Sequence, residues 1–240
     1  MFKYSNKYGV MGMAGKCEVL GDFEGLRKNK NKVVSFSKDF NPNSPIISYS
    51  YIYEKPSAKG YMKCRQITSK LDKSFFKLEG GNFREIRETR NKFNKIITIK
   101  EYKKEDVLEL IDRWDAQSGK KYGWQRHSGY DRAFFNRWYD SEKENLISRF
   151  YYIDDRIVGY SVLHKESDNY TYIIRKADNT IRNTCLYVDY KTFEEIYNIE
   201  NKDFYVNWGA SSGTLLKYKR KFGSFEETDV YFYSIKTTPN

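Results

Sequence analysis

Two spacings of apolar residues run along this chain, one of period two and one of period three to four. Residues 204–208, Phe-Tyr-Val-Asn-Trp, read as a buried strand that stops at a small-residue turn, 209–213. Residues 214–222 return to helical spacing with Leu215, Tyr218 and Phe222, and Gly223 stands where a helix-ending glycine belongs. Residues 229–235 alternate as a closing strand. Just upstream, 189–198 read as a short helix, with Asp189 as N-cap and Phe193, Ile196 and Tyr197 as its apolar face. A helix, a strand, a turn, a basic helix and a second strand predict an α/β (α+β) arrangement.

The preceding segments extend this pattern. Residues 149–153 and 157–163 form the arms of a hairpin about Asp154 and Asp155, and 170–174 follow as a third antiparallel strand. Residues 105–118 make an amphipathic helix with Val107, Leu110, Ile111 and Trp114 inward, and 130–139 make another with Phe134, Phe135 and Trp138 buried. The link 119–127 interleaves aromatic and cationic residues, which suits base stacking with phosphate contact or a lid over a cleft. Residues 96–101 are a strand. Asn82 can cap a helix over 83–93, with Glu85 in the reciprocal position. Arg84, Arg87 and Asn91 then share one face, where they either pair with Glu85 and Glu88 or hold a phosphate. Nearer the start, 33–37, 46–53 and 61–67 look like strands. The glycine turns at 11–15 and 21–25 lack the GxGxxG and Walker patterns and read as loop. Residues 1–70 are expected to form a β-rich extension packed on a main domain of 71–240.

Composition narrows the function. The net charge is +11, and 22 tyrosines and 16 phenylalanines leave many rings for a core and many hydroxyls to bond or stack. Such a positive excess favours a polyanionic partner, meaning nucleic acid or anionic membrane; the alternative is a solvated lysine-rich surface. Cys17, Cys64 and Cys185 are scattered without CxxC spacing, which argues against zinc or a disulfide framework and for a reducing compartment. No stretch reaches the ~20 apolar residues of a transmembrane helix, and the expected location is the cytoplasm.

Three motifs carry a family resemblance. The first is Asn207-Trp208-Gly209 followed by Gly213-Thr-Leu-Leu-Lys-Tyr-Lys219-Arg-Lys-Phe-Gly223. The second is Phe83-Arg-Glu-Ile-Arg87-Glu-Thr-Arg90-Asn91-Lys-Phe93, and the third is Tyr151-Tyr-Ile-Asp-Asp-Arg-Ile-Val-Gly-Tyr-Ser161. Together they cover about 71–236 and resemble the Fem-type branch of the GNAT superfamily. That branch includes peptidoglycan aminoacyl transferases and the C-terminal domain of phosphatidylglycerol lysyltransferases. The resemblance implies a mixed, mostly antiparallel sheet flanked by helices, with a V-shaped gap beside the strand 204–208. It also implies an acyl- or aminoacyltransferase.

What the resemblance implies for chemistry centres on Lys219, the motif lysine that stabilises charge at the reacting ester; read structurally, it is one more surface lysine of a basic helix. Asn207 ends the strand beside the cleft, and Asp178 is the nearby carboxylate nominated as base, or else a turn former. The expected substrate-binding set is Arg84, Arg87, Asn91, Trp124, Arg126, Arg175, Trp208, Ser211, Ser212, Lys217 and Lys221. The usual acetyl-CoA loop, glycine-rich and opening a helix after the third strand, is missing, because 175–184 hold no glycine. No cofactor or metal is expected, and the implied donor is aminoacyl-tRNA rather than acyl-CoA. Transfer from an activated ester needs an oriented amine, a proton acceptor and a stabilised oxyanion, but no covalent intermediate. The nucleic acid is then either donor, as aminoacyl-tRNA, or acceptor, as a modified base in DNA of the kind made by Mom-type proteins. The alternatives are a catalytically inactive GNAT-like module that binds nucleic acid, and an ordinary acyl-CoA-dependent N-acetyltransferase.

Overall fold

The computed structural model of the protein describes residues 48–52, 61–122, 129–137, 139–211 and 213–235. The strand expected at 33–37, the glycine turns before it, Trp124, Arg126, Trp138 and Ser212 lie outside the described residues.

Among the described residues eight strands form one sheet: β1 (Ser48–Ile52), β2 (Tyr61–Leu71), β3 (Ile97–Lys100), β4 (Leu146–Ile153), β5 (Arg156–Glu166), β6 (Asn169–Ala177), β7 (Phe204–Ser211) and β8 (Ser224–Ile235). Their spatial order is β1-β8-β2-β7-β6-β5-β4-β3. Every neighbouring pair is antiparallel except β6 and β7, which run parallel. The helices are α1 (Lys73–Lys77), α2 (Arg84–Phe93), α3 (Lys104–Tyr122), α4 (Gly129–Arg137), α5 (Tyr139–Glu142), α6 (Thr184–Glu200) and α7 (Gly213–Lys219). The expected mixed, mostly antiparallel sheet flanked by helices is what the chain forms. The sheet also runs across residue 70, because β2 lies between β7 and β8 rather than outside them.

Alternation along the strands divides the core between the two faces. Val162 and Leu163, adjacent in β5, enter different clusters. Val162 joins Val107, Leu110, Phe134, Phe135 and Tyr160 beneath α3 and α4. Leu163 joins Phe75, Tyr172, Phe193, Trp208 and Phe222 beneath α1 and α6. Gly223 ends the α7 turn at φ +66°, where a Cβ would sit 2.1 Å from the Lys70 carbonyl oxygen. Glycine is therefore required by both backbone conformation and space.

Three local expectations are corrected. Asn82 does not cap a helix: it lies in a 3-10 turn, Gly81–Phe83, and α2 follows with no side-chain cap. Asp189 is not an N-cap either, because α6 starts at Thr184 and places Asp189 on its buried side. The small-residue stretch after Trp208 is not all turn, since β7 continues to Ser211 by pairing with β2.

Candidate active site

The site is built where two parallel strands part. β6 and β7 pair only at Asn169–Tyr205, Tyr170–Val206 and Thr171–Asn207. Beyond these residues each strand carries a bulge. On β6, Val162 faces Ile174 and Leu163 faces Tyr172, so Ile173 is extra, and Ile173 and Ile174 both enter the core beneath α3 and α4. On β7, Gln66 faces Ala210 and Thr68 faces Asn207, so Trp208 and Gly209 together oppose Ile67. Bulges bend strands and sharpen twist, and the pair opens into the V-shaped gap beside 204–208. Gly209 takes φ +66° within its bulge, and the Asn207 side-chain oxygen accepts from the Gly209 N–H at 2.9 Å.

Successive carbonyls of a regular strand point to opposite sides. The left-handed Gly209 turns the Trp208 and Gly209 carbonyls toward one group, the Lys219 amine. Its Nζ donates to the Trp208 oxygen at 2.6 Å and to the Gly209 oxygen at 3.1 Å. Lys219 is 4% exposed, so it is not a surface lysine of α7. Burial first, and then the positive charge of Arg175, push its amine down to about 7, against the opposing pull of Asp189.

Behind the gap lies a polar cluster that the sequence pattern did not reveal. The fully buried Asp189 carboxylate accepts from the Tyr172 hydroxyl at 2.7 Å, from Arg175 and from the Tyr218 hydroxyl. Burial pushes this carboxyl above its ordinary value, and the three donors oppose that shift. The Arg175 guanidinium lies 5.3 Å from the Tyr218 ring centroid and 6.0 Å from that of Trp208. Trp208 is itself fixed by an indole bond to Ser69 at 2.8 Å and by the rings of Tyr172, Phe193 and Phe222. The detectable signal was Asp189 itself, a carboxylate on the same helical stripe as Leu186, Tyr190 and Phe193.

The other expected residues divide. Arg175, Trp208, Asn207 and Lys219 converge on the parting strands. Asp178 follows the end of β6, buried and held by Arg156 at 2.8 Å, by the Thr180 hydroxyl at 2.6 Å and by the Thr180 N–H at 2.9 Å. Burial alone would raise its carboxyl, but the Thr180 bonds and Arg156 hold it below the ordinary range. That environment suits an anchor for the β6–α6 turn better than a proton acceptor. Arg87 donates to the Leu78 and Gly80 carbonyls past the end of α1, Arg84 pairs with Glu88, and Asn91 is exposed beside Arg90. Lys217 is exposed, and Lys221 bridges to Glu85 at 2.5 Å. Ser211 closes β7 opposite Arg65. No group of metal-binding side chains occurs among the described residues, and no described helix is long and apolar enough to cross a membrane.

No protein-family model matches this chain, and no curated protein does. Among solved structures, a conserved protein of unknown function from Bacteroides thetaiotaomicron VPI-5482 is similar over 75% of this chain and 64% of its own, with 16% identity and a TM-score of 0.54. FemX is similar over 78% of this chain and 66% of its own, with 10% identity and a TM-score of 0.51. The C-terminal domain of a putative lysylphosphatidylglycerol synthetase from Agrobacterium fabrum is similar over 72% and 62%, with 9% identity and a TM-score of 0.43. The chain thus spans about two thirds of the length of each. The parting parallel pair within a mostly antiparallel sheet and the likeness to FemX agree on one architecture: the chain has a GNAT-like fold similar to that of FemX.

Proposed function

We propose that the chain is an acyltransferase that moves an acyl or aminoacyl group from an activated ester to an amine by direct attack. In this reading a nucleic acid is one of the two substrates, with aminoacyl-tRNA as the donor and a modified base in DNA as the rival acceptor. The observation that carries the reading is Lys219, buried at the bulge where β6 and β7 part. An amine lowered to about 7 is poised to exchange a proton near neutrality. Protonated, it places a cation where negative charge develops on the ester oxygen; neutral, it accepts a proton from the attacking amine. The Asn207 amide nitrogen bonds no group among the described residues and is free to donate to the same oxyanion.

Aminoacyl-tRNA is favoured over acyl-CoA by the turn between β6 and α6. Two amides of that turn are committed internally: Thr180 N–H to the Asp178 carboxylate, and Thr184 N–H to the Ile181 carbonyl at 3.3 Å. Lys217 and the exposed pairs Arg84–Glu88 and Lys221–Glu85 offer cations to a nucleic-acid backbone, because exposed ion pairs are weak and exchange readily with phosphate.

The test is a transfer assay with tRNAs charged with labelled amino acids and with a panel of acyl-CoAs, followed by mass spectrometry of nucleic acid, lipid and small amines. Label is expected to move from aminoacyl-tRNA and to stay put in Lys219→Ala. Transfer from acyl-CoA alone would assign an ordinary acetyltransferase, and nucleic-acid binding without transfer would assign an inactive binding module.

A further inference from the structure

Asp189 lies fully buried in the middle of α6, yet three donors from β6, one of the parted strands, and from α7 converge on it. Tyr172 and Arg175 come from β6, and Tyr218 comes from α7, one residue before Lys219. A guanidinium keeps its proton, so all three bonds run into the carboxylate. The bond to Asp189 is the one hydrogen bond that the Arg175 guanidinium makes among the described residues, and its side chain is 18% exposed.

We propose that Asp189 is a positioning residue for the cleft: it fixes Arg175 and Tyr218 across the gap and supplies the negative charge that offsets Arg175 at Lys219. The proposal rests on the transferase reading of this site and adds the group that sets its geometry. Removing the carboxylate releases the guanidinium, whose exposed edge is then no longer aimed. It also leaves Arg175 as the dominant charge acting on the Lys219 amine. The titratable groups facing the pair are Tyr172 from β6, Cys185 from α6 and Tyr218 from α7, while β7 contributes the Trp208 ring and two backbone carbonyls. Burial raises the Cys185 thiol and both tyrosine hydroxyls, so they stay uncharged near neutrality. The balance at Lys219 therefore lies between Arg175 and Asp189.

The experiment is competitive acetylation of the full chain with acetic anhydride across pH, with the Lys219 peptide read by mass spectrometry and turnover measured in parallel. In Asp189→Asn the Lys219 labelling midpoint should fall by about one pH unit, and turnover should fall at least tenfold. The double variant Asp189→Asn/Arg175→Met replaces the buried pair with neutral groups of similar size, which keeps the fold. Its midpoint should return toward the wild-type value while turnover stays low. An unmoved midpoint in folded Asp189→Asn, or wild-type turnover in the double variant, overturns the proposal. If Asp189→Asn does not fold, the double variant alone decides. Labelling needs no substrate, so a shifted midpoint in a protein that transfers nothing would sink the transferase reading and leave the role of Asp189 standing.

Discussion

The Lys219 amine lies 2.6 Å from the Trp208 carbonyl oxygen and 3.1 Å from that of Gly209, so one side chain binds two successive carbonyls of a bulged strand. The residue that the motif marks for chemistry is therefore also the clasp that holds the bulge in shape.

Lys219→Ala should lower turnover by roughly a hundred- to thousandfold, as expected for a group aimed at transition-state charge. It should also destabilise the fold by about 1–3 kcal/mol, because two buried carbonyls lose their donor. Single-turnover kinetics and urea denaturation of the same variant separate the two effects. Lys217→Ala, two residues away and exposed, should instead raise KM for a nucleic-acid substrate and leave kcat alone. Equal, mild losses in both variants would reduce the helix to a source of electrostatic attraction.

Stability should rise with pH above neutrality through this same lysine. In the unfolded chain the amine holds its proton to about pH 10, and in the fold only to about 7. Between these values the unfolded state binds more protons, so the folded state gains up to about 1.4 kcal/mol per pH unit. Urea titrations at pH 7.5 and 9.5 should show that gain in the wild type and not in Lys219→Met. Parallel behaviour of the two proteins would mean that the buried amine keeps its proton.

Acetyl-CoA should not bind at micromolar concentration, because Asp178 and Ile181 already occupy the Thr180 and Thr184 amides. Isothermal calorimetry decides this, and a micromolar Kd would return the chain to the ordinary acetyltransferases.

Gly223→Ala should cost at least about 2 kcal/mol, since a methyl group would meet the Lys70 carbonyl at 2.1 Å from a left-handed backbone. Thermal unfolding checks it, and a change in Tm of less than a degree would contradict the close approach.

The sequence made the hairpin legible because two apolar runs, 149–153 and 157–163, flank the turn residues Asp154 and Asp155. Lys219 was legible through its motif. Asp189 was not, because an aspartate before an apolar run looks like a cap, and only the partners on β6 and α7 show otherwise. Gly209 read as the start of a turn for a similar reason. A glycine in a bulge and a glycine in a turn look alike until the strand opposite, here β2, is known. Asp178 read as a candidate base or a turn former, and its cage of Arg156, Thr180 and Gln117 comes from three separate segments. What periodicity supplies is the element; what it withholds is the long-range partner that decides a polar residue's role.

The place of β2 has a consequence for how the chain reaches its fold. Its strand partners are Phe204–Ser211 and Ser224–Ile235, more than 130 residues later in the sequence. During synthesis Tyr61–Leu71 must wait, unpaired, until those segments have left the ribosome, whereas β4, β5 and β6 can zip together as neighbours. Contacts so distant in sequence slow folding and leave a strand edge open to other chains. Nascent-chain yield should therefore depend more on chaperones than the stability of the finished sheet would suggest.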